Sequence, residues 1–178
     1  MCMIRLRDMQ KTDIIDYVKW FTSDTDWCNN RDTPWDKIES TESDELNSWT
    51  DFYHYINGLD DNEFRSKFEI DCDGKHIGWV SCYYDLEYME NPNHILAIGI
   101  EIPVKEARGH GYGTKALNLY IDYLKERGNN ILFIQTWSGN YPMVKVIEKL
   151  GFKEYYRKEK YRKVKNKYYD SITYSLEM

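Results

Sequence analysis

The chain has 178 residues, a length typical of one domain with its own hydrophobic core. It contains no run of about 18 apolar residues, which argues against a transmembrane helix, and its charged amino terminus lacks the apolar stretch of a secretory signal. The formal net charge is −6, but residues 1–101 hold 22 acidic and 9 basic side chains, whereas residues 102–178 hold 8 and 15. Such an asymmetry suggests that the two halves face different partners.

The four cysteines form no CxxC pair, and no histidine lies near them at the spacing of a zinc site. They are Cys2, Cys28, Cys72 and Cys82. We expect reduced thiols, a cytoplasmic location and no metal. Since no linker or internal repeat interrupts the chain, we also expect a single domain over residues 1–178.

The first part of the chain reads as one strand and two helices. Residues 3–7 alternate apolar and charged side chains, as an edge strand does. Residues 13–21 place apolar side chains at helical spacing. Residues 23–37 are polar and include Pro34, which predicts a loop. A second helix is predicted over residues 42–57.

Three strand-like runs follow, and a helix and a fourth run come after them. The runs over residues 68–72 and 76–84 are joined by DGK, which predicts a hairpin. Residues 94–102 form the third run. Residues 111–126 have helical spacing, and residues 131–137 are almost continuously apolar, as in a buried central strand.

The last part of the chain contains a short helix and two strands rich in Tyr and Lys. The helix is predicted over residues 141–150, and the strands over about 152–162 and 168–177. The order is therefore β-α-α-β-β-β-α-β-α-β-β. This order predicts an α+β fold with a mostly antiparallel sheet, in which a strand–helix–strand crossover gives one parallel pair.

A glycine-rich turn lies between the third strand-like run and the following helix. Gly109, Gly111 and Gly113 alternate there, so that the backbone can approach a ligand closely. Exposed N–H groups at a helix start favour an anion such as phosphate, and Arg108 adds a cation. The spacing fits neither a P-loop nor the dinucleotide fingerprint. The alternative is a turn that only packs strand against helix.

Two motifs resemble the GNAT superfamily of acyl-CoA-dependent N-acetyltransferases. Residues 108–113, RGHGYG, are similar to its signature Arg/Gln-x-x-Gly-x-Gly/Ala between a strand and a helix. Asn140, followed by a helix and Gly151-Phe152, is similar to its second motif. The resemblance extends to the order of elements and is greatest for the RimJ/RimL type or the aminoglycoside 6'-N-acetyltransferases. It implies a GNAT-like fold, with a mixed sheet, splayed central strands and about four helices.

The resemblance implies acetyl-CoA as the cofactor, with its pyrophosphate on the turn amides and its pantetheine arm between the splayed strands. Backbone groups of the third run would pair with that arm as an added strand does. The implied cofactor-binding residues are Ile100, Ile102, Val104, Arg108, Gly109, His110, Gly111, Tyr112, Gly113, Thr114, Asn140 and Lys145.

Glu101 is the candidate general base, because the family's acceptor amine meets the thioester beside this strand and must lose a proton. The alternative is a carboxylate that faces solvent or pairs with a lysine. Many relatives carry a tyrosine as general acid seven residues after the motif asparagine, where this chain has Ile147. Ser138 or water is the expected substitute.

The acceptor pocket of this family is built largely from its amino-terminal helices, their loop and the region between the third and fourth strands. Clustered carboxylates and aromatic rings there predict a cationic primary amine, carried by a small molecule, an aminoglycoside or a peptide N-terminus. The candidate acceptor-binding residues are Asp24, Trp27, Trp35, Tyr83 and Glu87, within a wider acidic set of Asp26, Asp32, Asp36, Asp85 and Glu90.

We expect no nucleic acid or membrane partner, and either a monomer or a homodimer. Two other classes of function stay open. A non-catalytic acyl-CoA sensor would keep the fold and lack the general acid. RNA binding through the basic hairpin 153–167 would require an affinity for RNA that depends on salt.

Overall fold

The structure is a computed structural model, and it describes residues 2–28, 33–35, 37–84, 86 and 95–178. The strands are β1 Ile4–Arg7, β2 Lys67–Cys72, β3 Lys75–Tyr83, β4 Ala97–Glu101, β5 Ile131–Trp137, β6 Lys153–Val164 and β7 Lys167–Glu177. The helices are α1 Asp13–Thr22, α2 Glu42–Asn57, α3 Tyr112–Glu126 and α4 Tyr141–Lys149, with a short 3-10 turn at Lys105–Ala107. The predicted order of elements is confirmed. Residue 94, where the third run was expected to begin, lies outside the described residues.

The seven strands form one mixed sheet in the order β1-β2-β3-β4-β5-β7-β6. Every neighbouring pair is antiparallel except β4 and β5, which are parallel. Helix α3 makes the crossover between these two strands, because a parallel connection needs a segment long enough to return along the sheet. The α+β fold with one parallel pair is therefore as predicted.

Strands β4 and β5 are paired at one point and diverge beyond it. Ala97 is opposite Phe133, and the Phe133 N–H donates to the carbonyl of Leu96 at 2.9 Å. Because the strands are parallel, the gap opens toward their carboxyl ends, at Glu101 and Trp137. The splayed central strands that the family resemblance implied are thus present.

Hydrophobic clusters cover both faces of the sheet. One lies against α3 and α4 and includes Leu117, Tyr120, Ile134 and Ile147. The other lies beneath α1 and α2, and its buried members are Met9, Ile14, Tyr17, Trp20, Trp27, Cys28, Ile56 and Trp79. The central strands are therefore packed on both faces, against α3 and α4 on one side and against α1 and α2 on the other.

Polar groups mark the starts of two helices. The Thr41 hydroxyl accepts from the Asp44 N–H at 3.2 Å, which caps α2. The Asn140 side chain accepts from the Met143 N–H at 3.4 Å, which caps α4. None of the helices in the described ranges is both long enough and apolar enough to cross a membrane.

The last two strands extend beyond the rest of the sheet. The pairing of β5 with β7 runs from Ile131 opposite Glu177 to Trp137 opposite Ser171. Residues 167–170 lie beyond that last pair, and β7 pairs there with β6 in the described sheet. Lys165 and Asn166 form the connecting turn, both with positive φ. The hairpin therefore ends in a projecting two-stranded ribbon.

The expectation of four reduced thiols is wrong for two of the cysteines. Cys2 and Cys72 form a disulfide, with Cα atoms 5.8 Å apart. Strand pairing explains it, because Ile4 lies opposite Cys72 and brings the start of the chain beside β2. The partners are 70 residues apart, so a search for short cysteine spacings does not find them. Cys28 and Cys82 are not disulfide-bonded in the described part of the chain.

Candidate active site

A cleft of about 780 Å³ occupies the gap between the carboxyl ends of β4 and β5. It continues over the glycine turn and the start of α4, so it joins the two sequence motifs in space. Most of the predicted site residues line it. They are Trp27, Trp35, Tyr83, Ile100, Glu101, Ile102, Arg108, Gly109, Gly111, Tyr112, Gly113, Thr114, Asn140 and Lys145.

The glycine turn presents open backbone to this cleft. Gly109 and Gly111 both have φ of 78°, and Gly111 is the N-cap of α3. A Cβ built on either residue meets nothing within 4 Å, so a ligand can approach this backbone directly. The first N–H groups of α3 have no partner within the helix, and the helix dipole is positive there. Backbone of this kind is able to accept an anion such as phosphate.

Arg108 donates hydrogen bonds to the segment that connects β4 to the turn. Its Nε donates to the Ile102 carbonyl at 2.7 Å, and its Nη2 donates to the Pro103 carbonyl at 2.6 Å. Its Nη1 also lies 3.6 Å from an Asp26 carboxylate oxygen. The guanidinium that we expected to meet a phosphate is thus committed largely to backbone carbonyls, and it fixes the shape of the turn.

Glu101 is the last residue of β4 and lines the cleft, half-buried. It lies opposite Trp79 of β3, on the side of the sheet that α1 and α2 cover. A Cβ on Gly113 would lie 3.5 Å from the side chains of both Ile100 and Ile102. These isoleucines therefore point toward α3, on the face of the sheet opposite Glu101. Glu101 is the one acidic side chain among the described residues of the lining.

The start of α4 supplies the opposite wall. The Asn140 side-chain oxygen Oδ1 caps the helix. Lys145 is exposed one turn further on and also lines the cleft. Ile147 is completely buried beneath the helix. The Ser138 hydroxyl accepts from the Asp170 N–H at 2.9 Å and ties β5 to β7. Ser138 is not one of the described residues that line the cleft, so its position does not support the predicted role as general acid.

The predicted acceptor residues are divided between the cleft and other places. Trp27, Trp35 and Tyr83 line the cleft, whereas Asp24 is not among the described lining residues. Val104 and His110, expected to bind the cofactor, are also absent from that part of the lining. Glu87 lies outside the described residues, as do Asp32, Asp36, Asp85 and Glu90 of the wider set.

An aromatic wall, of which the sequence predicted Trp35 alone, lines part of the cleft. The Trp35 ring meets those of Trp137 and Tyr161 edge-on, each at 5.7 Å between centroids. Trp137 is the last residue of β5, and this position at a strand end could have indicated that it lies at the cleft. Tyr161 comes from the terminal hairpin, and no local pattern connects it with the cleft. Ser81, Gln135 and Ser171 complete the missed polar lining.

A buried polar network lies under α1 and α2, on the same sheet face as Glu101. The Tyr17 hydroxyl donates to a Glu69 carboxylate oxygen at 2.6 Å, and His76 Nε2 lies 2.8 Å from the same oxygen. The other Glu69 oxygen has no hydrogen-bond partner in the described structure, although Glu69 is 1% exposed. Burial would lower the pKa of His76, but its hydrogen bond to Glu69 and nearby carboxylates raise it.

Lys67 extends the network into an aromatic cage. Its ammonium lies over the rings of Tyr17, Trp49 and Trp79 at 4.2, 4.0 and 4.7 Å from their centroids. Desolvation lowers the pKa of Lys67 to about 7, although the charge of Glu69 acts in the opposite direction. No local sequence pattern predicts this cage, because its members come from four separate elements.

The fold and the cleft define a class of protein. Residues 4–153 match the family model of the acetyltransferase (GNAT) domain, which covers most of the chain. The chain belongs to this family. The splayed strands, the glycine turn and the α4 cap occupy the positions that the sequence resemblance implied.

Proteins similar to this chain are described as acetyltransferases. An uncharacterised N-acetyltransferase of Methanocaldococcus jannaschii is 28% identical over 107 residues, which are 58% of this chain and 44% of that protein. The chain therefore matches less than half the length of this curated relative. A Salmonella typhimurium structure, yncA, assigned as an acetyltransferase and solved with acetyl-CoA, has a TM-score of 0.72 at 16% identity, covering 99% and 94% of the two chains.

A further structural neighbour is the RimL ribosomal L7/L12 protein acetyltransferase, solved with coenzyme A. Its TM-score is 0.73 at 14% identity, and the match covers 98% of this chain and 94% of that one. At these identities the two structures show a shared fold. They do not distinguish the RimJ/RimL type from the aminoglycoside type.

Proposed function

We propose that the protein is an N-acetyltransferase that moves an acetyl group from acetyl-CoA to a primary amine by direct attack. The observation that carries this proposal is a single cleft holding both the open glycine turn and Glu101. The turn provides a place for phosphate, and the carboxylate provides a place for proton removal. A chain of this family with both features has what amine acetylation requires.

Acetyl-CoA fits the cleft by shape and by charge. The open backbone at Gly109 and Gly111 and the start of α3 would hold the pyrophosphate, and Lys145 would meet a further phosphate. The free edge of β4 would pair with the pantetheine arm, as an added strand does. The thioester then supplies an activated acetyl group near Glu101.

Glu101 would act as the general base. An acceptor amine is protonated at neutral pH and attacks a thioester only after it loses a proton, either directly to a carboxylate or through a water. The new N–C bond forms as the C–S bond breaks, and the thiolate leaves with a proton from solvent. Ile147 is buried and Ser138 lies off the lining, which supports water as that proton donor.

The acceptor that we propose is a cationic primary amine on a small molecule or a peptide N-terminus. The ammonium would be attracted by the Glu101 carboxylate, whereas the Arg162 guanidinium already lies over the Trp35 and Tyr161 rings of the aromatic wall. Of the acidic cluster expected at residues 24–36, Asp26 pairs with Arg108 and Asp24 is not in the described lining, while Asp32 and Asp36 lie outside the described residues.

A non-catalytic acyl-CoA sensor is the competing function. The missing tyrosine general acid at Ile147 favours it, but the position of Glu101 in the cleft does not. An acceptor screen with acetyl-CoA and a thiol-release readout separates the two. An enzyme releases one thiol for each amide formed with its preferred amine, whereas a sensor binds acetyl-CoA and releases no thiol above background with any amine.

A further inference from the structure

The projecting ribbon of β6 and β7 carries a dense positive charge. Residues 158–169 contain six Lys or Arg side chains and one Glu. Lys160, Lys163, Lys165 and Lys167 are exposed in this segment. The ribbon extends about 13 Å past the sheet, since four residues of β7 lie beyond the last pair with β5 and a strand rises about 3.3 Å per residue.

Ion pairs at the base of the ribbon leave its outer part positive. Arg157 is neutralised by Glu154 and Asp170, with N–O distances of 2.6 and 2.8 Å. No acidic residue follows Glu159 until Asp170. An outer segment of this charge attracts a polyanion, although a basic edge strand also discourages sheet-to-sheet aggregation.

Aromatic rings accompany the lysines along the ribbon. Lys163 lies opposite Tyr168 on one face, with its ammonium 5.9 Å from the ring centroid, and Tyr168 is 56% exposed. On the other face, the Lys167 ammonium lies 5.1 Å from the centroid of Tyr169, whose ring meets Trp137 edge-on. An exposed ring beside a cation, on a ribbon with further exposed lysines, is a combination that binds single strands, because phosphates pair with the cations while a base stacks on the ring.

We propose that this ribbon binds single-stranded nucleic acid, with the phosphate backbone on Lys160, Lys163, Lys165 and Lys167 and a base on Tyr168. This partner differs from our expectation of no nucleic acid. The proposal does not depend on acetyl transfer, because the ribbon residues that carry it are not among the described lining of the cleft.

The test is the binding of fluorescent 20-nucleotide oligo-U and oligo-dT to the whole protein, measured by anisotropy at about 50 to 200 mM salt. Affinity should fall as salt rises, and the two probes distinguish RNA from DNA. Changing the four lysines to Gln together should reduce the slope of log K against log salt by ~2.8, from about 0.7 for each phosphate neutralised on a single strand. Tyr168→Leu should weaken binding by about tenfold through lost stacking.

A matched control is the change of four exposed lysines elsewhere, Lys11, Lys19, Lys75 and Lys125, to Gln, which alters the net charge equally. An equal loss in this control would overturn the proposal, as would an unchanged affinity in the ribbon variant. Displacement of the probe by acetyl-CoA would place it in the cleft instead. Equally tight binding of polyglutamate, with no effect of Tyr168→Leu, would assign the ribbon to an acidic polypeptide.

Discussion

The cage around Lys67 is the least expected arrangement of single residues in the molecule. A buried ammonium loses its hydration, and cation–π attraction from the surrounding rings offsets part of this desolvation cost. The pKa of Lys67 falls from 10.5 to about 7, so between these values the unfolded chain binds more protons than the folded one. Folding stability should therefore fall as pH falls from about 10.5 to about 7.

Replacing Lys67 with Met should stabilise the protein at neutral pH. Met fills a similar volume with no charge to desolvate, so the variant avoids the desolvation that lowers the pKa of Lys67, although it also removes the attraction between Lys67 and Glu69. The gain should be largest below about pH 7 and should shrink toward pH 10. Chemical denaturation at several pH values measures it, with exposed Lys75→Met as the control. A gain that does not change with pH would contradict the assigned cause.

His76 should influence stability with the opposite sign. Its pKa is raised in the folded state, so its contribution is complete below its ordinary pKa of 6.5 and is lost as pH rises through the raised value. The loss of unfolding free energy in His76→Gln should be greater at about pH 5.5 than at about pH 8.5. Equal losses at both pH values would mean that the charge on His76 does not stabilise the network.

Gly111 is the residue whose change should most directly block the cofactor. A Leu side chain there would enter the open space above the first amides of α3, and the φ of 78° would add backbone strain. Gly111→Leu should weaken acetyl-CoA binding by more than about tenfold in a titration. Gly128→Leu is the matched control, because its φ is 83°, nothing lies within 4 Å, and it ends α3 away from the cleft. Similar losses in both variants would point to strain rather than to a blocked site.

Helix α4 shows why a general acid is missing at the family position. Ile147 lies on the side of α4 that faces the sheet and is buried in the core, whereas Met143 and Val146 line the cleft. Ile147→Tyr should therefore restore no activity and should destabilise by about 1–3 kcal/mol through overpacking. Thermal unfolding and thiol release measure both effects. Glu148→Tyr, on the exposed side of the same helix, is the control, and a faster Ile147→Tyr enzyme would contradict this account.

Elements were predictable to the extent that their patterns are local. Periodicity located the seven strands and four α-helices named above, whereas the short 3-10 turn was not predicted. Tyr161 and Trp137 were missed because the register of β6, β7 and β5 decides that they reach the cleft. Arg108 was assigned to a phosphate because its sequence position does not show the carbonyls that it binds. The Cys2–Cys72 disulfide likewise follows from the pairing of β1 with β2.

At the scale of the whole molecule, acidic and basic side chains are divided between the two halves of the chain. The acidic half of the chain does include α1, α2 and the strands beside them, but Glu101 is the one acid in the described lining of the cleft. The basic half supplies the glycine turn, α4 and the projecting ribbon. Positive charge thus lies both where acetyl-CoA would bind and on a ribbon beyond the sheet.

The central claim is that one cleft holds acetyl-CoA and places an amine beside Glu101. The most direct test is to compare kcat/KM, across pH, of the wild type and of Glu101→Gln with the amine selected by the screen. Loss of a general base reduces turnover by about 10²–10⁴-fold, and acetyl-CoA affinity should stay nearly unchanged. Glu106→Gln, exposed in the adjoining 3-10 turn, is the matched control and should behave as the wild type. Full activity of Glu101→Gln at every pH would contradict the account.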